Sequence, residues 1–250
     1  VKFSTIRTVL AFALWMKLVT KQIDFSNAFV QAELGDREKL YVTLPPGVHH
    51  PTRDSKDVVL QLKKSLYGQK DAPRLWYQKV KAGIENLGFV PSEADPCLFL
   101  HKKKQILLLL YVDDVLLFHE KEEVLQEVIA DLQKGFSLTE EDTGTEDAFA
   151  YLGINLQFNG TKVTMTQDGL INKIFRTTGW ETINGAKTPA EPKALGADRD
   201  GELFKADWEY ASVVGMLMFL VNTRPDIQFA VHQCARFTHN PKMSHLKAVK

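Results

Sequence analysis

The chain has 250 residues, 44% of them hydrophobic and 25% charged, and its Lys plus Arg (31) balance its Asp plus Glu (31). That is globular composition, long enough for one large domain or two to three smaller ones, and it excludes collagen-like, low-complexity and wholly disordered chains. Two cysteines, Cys97 and Cys234, without CxxC spacing argue against a disulfide scaffold or a cysteine-based zinc site, so a reducing compartment is the default.

In chain order, an amphipathic helix is expected over residues 6–19. Its apolar run 9–18 follows Lys2 and Arg7 as that of a signal peptide would, but Lys17 interrupts the run and no small-residue cleavage pattern follows. Further helices are expected over 74–87, 122–134, 168–177, 208–221 and 226–237. The last opens after Pro225 with apolar residues at Ile227, Val231, Cys234 and Phe237. Strands are expected over 21–25, 39–44, 96–100, 105–112, 115–118, 151–158 and 162–166, with Asn159-Gly160 as a hairpin turn. Pro45-Pro46-Gly47 and residues 187–200 read as loops, the second as a linker. No apolar run is long enough to cross a bilayer, so no membrane partner is expected. The chain starts on Val and stops at Lys250 without a breaker, as a piece of something longer would.

Charge is uneven although the total cancels. Lys63, Lys64, Lys70, Arg74, Lys79 and Lys81 face Asp71 alone, the stretch 119–147 is strongly acidic, and the last thirty residues are again basic. This layout suits a protein that grips a polyanion, and it is equally ordinary surface variation.

The sharpest local feature is Asp113-Asp114, set between the apolar runs 106–112 and 115–118. Asp-Asp is common turn chemistry. Asp24, however, also ends a short apolar strand, Gln22-Ile23-Asp24-Phe25. If those strands are neighbours, two carboxylates about 4 Å apart repel by roughly 4 kcal/mol at an effective dielectric of about 20, which calls for a proton or a divalent cation. Oxygen donors without His or Cys suit Mg²⁺, and paired ions of that kind support in-line phosphoryl displacement. The seven histidines have no metal-like spacing.

Tyr111-Val112-Asp113-Asp114 resembles the YxDD box of reverse transcriptases, and Asp24-Phe25-Ser26-Asn27-Ala28-Phe29 resembles their first acidic motif. Ser65-Leu66-Tyr67-Gly68-Gln69-Lys70-Asp71-Ala72-Pro73-Arg74-Leu75-Trp76-Tyr77 is similar to the SLYGLKQAPRLWY signature of copia-type LTR-retrotransposon polymerases. Leu40-Tyr41-Val42, Asp95-Pro96-Cys97-Leu98-Phe99, Tyr151-Leu152-Gly153-Ile154 and Thr223-Arg224-Pro225-Asp226-Ile227 follow in family order. Each match is modest, and the ordered set is specific.

The resemblance implies an α+β, right-hand polymerase. Residues 1–31 and 72–158 would form the palm, 32–71 part of the fingers, and 159–250 a thumb or connection. The family's upstream basic fingers segment and downstream RNase H domain match nothing in these residues. Asp24, Asp113 and Asp114 would be the acidic triad holding two Mg²⁺ ions (Mn²⁺ the substitute), with the backbone carbonyls of Phe25 and Val112 as further metal ligands. A primer 3′-hydroxyl would attack the α-phosphate of a dNTP on an RNA or DNA template.

Asn27, Ala28, Phe29, Tyr67, Gly68 and Lys70 would bind the nucleotide, Phe29 by crowding the sugar 2′-carbon. An ordinary core Phe fits equally well there. Arg74, Tyr111, Tyr151, Leu152 and Gly153 would contact nucleic acid, and Tyr151-Leu152-Gly153 is equally a buried strand with a bulge-forming Gly. Lys79 and Lys81 read as a solvated helix face. Integrase and RNase H of a Pol polyprotein are the implied partners, and cytoplasmic virus-like particles the implied location. Gln69 and Asp71 depart from the signature's Leu and Gln, and Glu141-Asp142-Thr143-Gly144 only partly keeps the family's DLG. Two alternatives stand: a decayed or domesticated nucleic-acid-binding module without polymerase activity, and an unrelated Mg²⁺ phosphohydrolase.

Overall fold

The apolar run beginning at Ile106 folds back on the run beginning at Asp114, and the main sheet grows outward from that hairpin. The computed structural model describes residues 1–35, 39–52, 54, 58–141, 148–182 and 184–250. The chain forms two compact units, Val1–Glu146 with Gly160–Val163, and Asp147–Asn159 with Thr164–Lys250. Helices and antiparallel sheets are mixed, as the α+β expectation requires.

In the first unit the elements are α1 (Phe3–Met16), β1 (Val19–Asp24), α2 (Ala28–Gln31), β2 (Tyr41–Thr43), β3 (Val59–Gln61), α3 (Ala72–Asn86), β4 (Val90–Pro91), β5 (Leu98–His101), β6 (Ile106–Tyr111), β7 (Asp114–His119), α4 (Glu122–Gln133) and β8 (Thr139–Glu141). Six strands form an antiparallel sheet in the order β4-β5-β6-β7-β1-β8, and β2 pairs with β3 separately. Side chains alternate across a strand. Ile23, Leu108, Leu110, Val115 and Leu117 therefore share one face, buried with Trp76, Val80 and Ile84 of α3 and Leu125, Val128, Ile129 and Leu132 of α4. The α3 residues recur every fourth position, the stripe an amphipathic helix must bury, and Pro73 starts the helix where its missing N–H costs nothing. The opposite face carries Gln22, Asp24, Tyr111 and Asp114.

Helix α1 has no side-chain cap of its own. Asp95, 2% exposed, supplies one from across the chain, accepting the Lys2 amide and the Thr5 hydroxyl, each at 2.8 Å. It also accepts the Cys97 amide at 3.0 Å, and these donors hold its carboxyl below the usual Asp range against the opposing effect of burial. The Asp-Pro-Cys-Leu-Phe motif is thus a structural clamp.

The second unit contains β9 (Ala148–Tyr151), β10 (Ile154–Asn159), β11 (Lys162–Thr166), α5 (Asp168–Thr178), α6 (Tyr210–Leu220), a 3₁₀ turn (Pro225–Ile227), α7 (Gln228–Ala235) and α8 (Met243–Val249). The strand expected over 151–158 is instead a hairpin. Leu152 and Gly153, both at positive φ, form its two-residue turn, and Tyr151 pairs with Ile154. The next turn falls on Gly160 and Thr161, one residue beyond the expected pair.

The expected linker 187–200 lies within this unit. The ring of His245, fully buried, bonds the Gly196 carbonyl through Nε2 at 2.8 Å and accepts the Lys242 amide at Nδ1, and Ser244 donates to Asp198 at 2.5 Å. Polar bonds to α8 therefore strap it down. Strands β3, β4 and β8 and helices α2 and α8 were not expected, being too short to show a period. Among the described residues, no helix is long and apolar enough to cross a membrane.

Candidate metal centre

Strand β1 lies between β7 and β8, and its last residue sets the site. Asp24 is directly opposite Asp114 on β7, while Gln22 is opposite Glu141 on β8. Cross-strand partners share a face and stand about 5 Å apart at Cβ. Carboxylate oxygens of Asp24, Asp114 and Glu141 accordingly all lie within 4.8 Å of one another.

Asp113 stands next to this group, in the two-residue turn between Tyr111 and Asp114. Its negative charge raises the carboxyls of Asp24 and Asp114, although burial is the larger cause in each; Asp114 is pushed up to about 6. Glu141 is raised by burial and by Asp24. The sequence pointed to Asp24 and Asp113 as the main pair. The tight cluster instead takes Asp114 and Glu141 with Asp24, and Asp113 flanks it.

The turn is held from below. Val112 adopts φ 57°, a left-handed conformation that a β-branched residue normally avoids. Its carbonyl, expected as a metal ligand, accepts the Trp76 indole N–H at 2.6 Å, and the Asp113 carbonyl accepts the Phe25 amide at 2.9 Å. Trp76, Phe25 and Phe136 meet edge to face with centroids 5.2 to 5.9 Å apart. Gly83 of α3 makes room for this trio, since a Cβ there would stand 2.4 Å from the Phe136 ring.

The remaining expected residues divide clearly. Phe29 and Tyr67, from separate motifs, bring their rings to 4.7 Å, and Phe29 also packs on the core. The Ser65 hydroxyl donates to the Phe29 carbonyl and its amide to Ala32 at 2.8 Å. Gly68 turns at φ 90°, and Gln69 closes the loop by accepting the Leu66 amide at 3.0 Å. Asn27 is exposed at φ 53°, a conformation Asn tolerates. Ala28 has no exposure at all and packs in the core beneath its neighbours, which corrects its expected contact with a nucleotide.

Lys70 and Arg74, with Leu40, Gln69 and Asp71, line an open depression of about 580 Å³. Asp71 stands 3.9 Å from the Arg74 guanidinium. Lys79, expected to be merely solvated, donates to the Gln31 carbonyl at 2.7 Å. Tyr111 is 42% exposed on the same sheet face as Asp114. Tyr151, in the second unit, is buried, leaving Leu152 and Gly153 at the hairpin tip. The Asp142-Thr143-Gly144 part of the DLG-like segment lies outside the described residues.

Oxygen donors alone make up the cluster, and Mg²⁺ prefers that set. The reverse transcriptase (RNA-dependent DNA polymerase) family matches residues 1–192. Over the whole chain, the retrovirus-related Pol polyprotein from transposon RE1 of Arabidopsis thaliana is 33% identical, and the chain spans 17% of that protein. A putative transposon Ty5-1 protein of Saccharomyces cerevisiae is 30% identical over 91% of the chain and 73% of its own length. Among solved structures, telomerase from Candida albicans aligns with 97% of this chain and 42% of its own at 9% identity and a TM-score of 0.39, too distant a likeness to define the fold. The chain belongs to the reverse transcriptase family. Within that family its relatives are Pol polyproteins of retrotransposons, copia-type among them.

Proposed function

We propose that this chain carries the nucleotidyl-transfer centre of an RNA-directed DNA polymerase, as part of a longer retrotransposon Pol polyprotein that would include integrase and RNase H. The observation that carries the reading is the register of β1 on β7. It sets Asp24 opposite Asp114, and the Phe25 amide bond to Asp113 ties the two acidic motifs together. Asp24, Asp113 and Asp114 would hold two Mg²⁺ ions, or Mn²⁺ in their place, which when bound acidify a primer 3′-hydroxyl and neutralise a dNTP triphosphate.

The other residues act around that centre. Phe29, braced by Tyr67, limits bulk at the sugar 2′-position, and Gly68 lets the backbone approach the nucleotide. Lys70 and Arg74 meet phosphates of nucleotide or template, and Tyr111 faces the primer terminus. In right-hand terms the six-stranded sheet with α3 and α4 is palm, β2 and β3 belong to fingers, and the later helices to thumb. The hairpin tip at Leu152-Gly153, with Tyr151 buried beneath it, is the nucleic-acid contact carried by the second unit.

The test is primer extension by the Pol polyprotein containing this chain, on an RNA template with Mg²⁺ and dNTPs. Extension is expected from the wild type and is expected to fall at least about a thousandfold in Asp113→Asn, consistent with loss of charge stabilisation at the reacting groups. Equal extension by both would overturn the reading. A second reading, a nucleic-acid-binding module without polymerase activity, is favoured by Asp71, whose charge beside Arg74 weakens phosphate binding. It predicts salt-sensitive template binding with no incorporation at all.

A further inference from the structure

In the sequence Glu141 is marked only as the first residue of the partly kept DLG-like segment and not as a ligand, yet it completes the acid cluster found among the described residues. We propose that Glu141 and the side-chain oxygen of Gln22 are ligands of a divalent cation held together with Asp24 and Asp114, so that the cation site of this chain spans three strands. The inference rests on the metal-dependent reading above and adds to it two oxygens from the β1–β8 side.

The argument begins with Gln22. It is 2% exposed, and its Oε1 has no hydrogen-bond partner among the described residues. An amide oxygen buried in this way has lost water and gained nothing in exchange. Two residues before Asp24 on β1, it projects from the same face by strand alternation. Its cross-strand neighbour on that face is Glu141. The unsatisfied oxygen therefore borders the acid cluster, and amide carbonyls are ordinary ligands of hard cations.

Among the described residues, no Lys or Arg pairs with Asp24, Asp114 or Glu141. Lys21, the basic residue next to Gln22, projects to the other face and is taken by Glu122 at 2.6 Å and Glu140 at 3.2 Å. Those bonds also fix β8. Gln126 donates to Glu140 at 2.9 Å, and Gln31 accepts the Ser137 amide at 2.9 Å while donating to its carbonyl at 2.8 Å. Glu141 is thereby presented by an anchored strand, and its place does not depend on a bound ion.

The experiment is Mn²⁺ binding to the whole chain, followed by electron paramagnetic resonance and by titration calorimetry without nucleotide or primer. Against the wild type, Glu141→Gln is expected to weaken Mn²⁺ at least tenfold and Gln22→Leu three- to tenfold, with Glu127→Gln, on α4 and paired with Lys104, unchanged. Gln22→Leu removes an unsatisfied polar group, so its unliganded melting temperature should hold or rise, which separates ligand loss from misfolding. Glu141→Asp, which shortens the arm, should fall between wild type and Glu141→Gln. Wild-type affinity in both Glu141→Gln and Gln22→Leu, with binding lost in Asp24→Asn, would overturn this inference and leave the metal-dependent reading standing. No binding by the wild type would overturn both.

Discussion

Two hairpins of this chain close with two-residue turns, and they close differently. The β9–β10 turn is Leu152-Gly153, both at positive φ, with glycine taking the second left-handed position at little cost. The β6–β7 turn is Val112-Asp113, with valine at φ 57°, where only its surroundings can hold it. Those surroundings are the Trp76 indole on the Val112 carbonyl and the Phe25 amide on the Asp113 carbonyl. Leu152 also sits at φ 53°, but two positive φ values with glycine second suit a two-residue hairpin, whereas a β-branched residue there is costlier. The strained one is over-determined by packing and sits where the acids must be aimed, as strain at functional sites generally does.

The largest effect expected from breaking that difference is at Trp76. It is 1% exposed, and Trp76→Ala should cost about 3–5 kcal/mol, in line with large-to-small core substitutions. Trp76→Phe is sharper, because it keeps most of the packing and removes the bond to Val112. Its stability loss should be on the order of 1–2 kcal/mol, measured by urea unfolding, and its loss in primer extension should exceed the loss in stability. If Trp76→Phe lowers both in proportion, the indole is a packing residue and the turn does not need it. Gly83→Ala tests the same support one layer down. A methyl would drive into the Phe136 ring, so a loss of about 1–3 kcal/mol is expected from overpacking.

The contrast also explains what could be read in advance. Asp24, Asp113 and Asp114 were legible because apolar strands end on them and the motifs come in order. Their convergence needed only the pairing of β1 with β7. Glu141 was not legible: its strand has three residues, all exposed, and its register on Gln22 depends on bonds from Gln31, Lys21 and Gln126, which lie far away in sequence. Trp76 was visible only as a letter of the signature, since nothing local says that an indole reaches the Val112 carbonyl. Hairpin β9–β10 reads as one strand in the sequence because Leu152-Gly153 lacks the Asn or Asp that usually announces such a turn. Tertiary partners, and not propensity, decided each of these.

The smallest predicted effect separates the acid cluster from the buried acid Asp95. Asp114 ionises in the folded chain at about 6, raised from its ordinary value by burial first and then by Asp113, Glu141 and Asp24. Below about pH 4 its carboxyl is protonated whether folded or not, and it carries no penalty. As pH rises through 6 the folded chain must ionise it while the unfolded chain already has, so stability is lost across that interval. The full shift would correspond to at most about 3 kcal/mol, and partial exposure reduces it to about 1 kcal/mol. Asp95 is lowered by its donors and works the other way, stabilising above the ordinary Asp range and losing that contribution as pH falls below it. Thermal melts between pH 4.5 and 7.5 in a chelator should show the wild type losing more stability than Asp114→Asn, with Mg²⁺ recovering the difference only in the wild type. Parallel curves would mean that Asp114 is neither desolvated nor crowded by the neighbouring acids in solution, and the contrast with Asp95 would vanish.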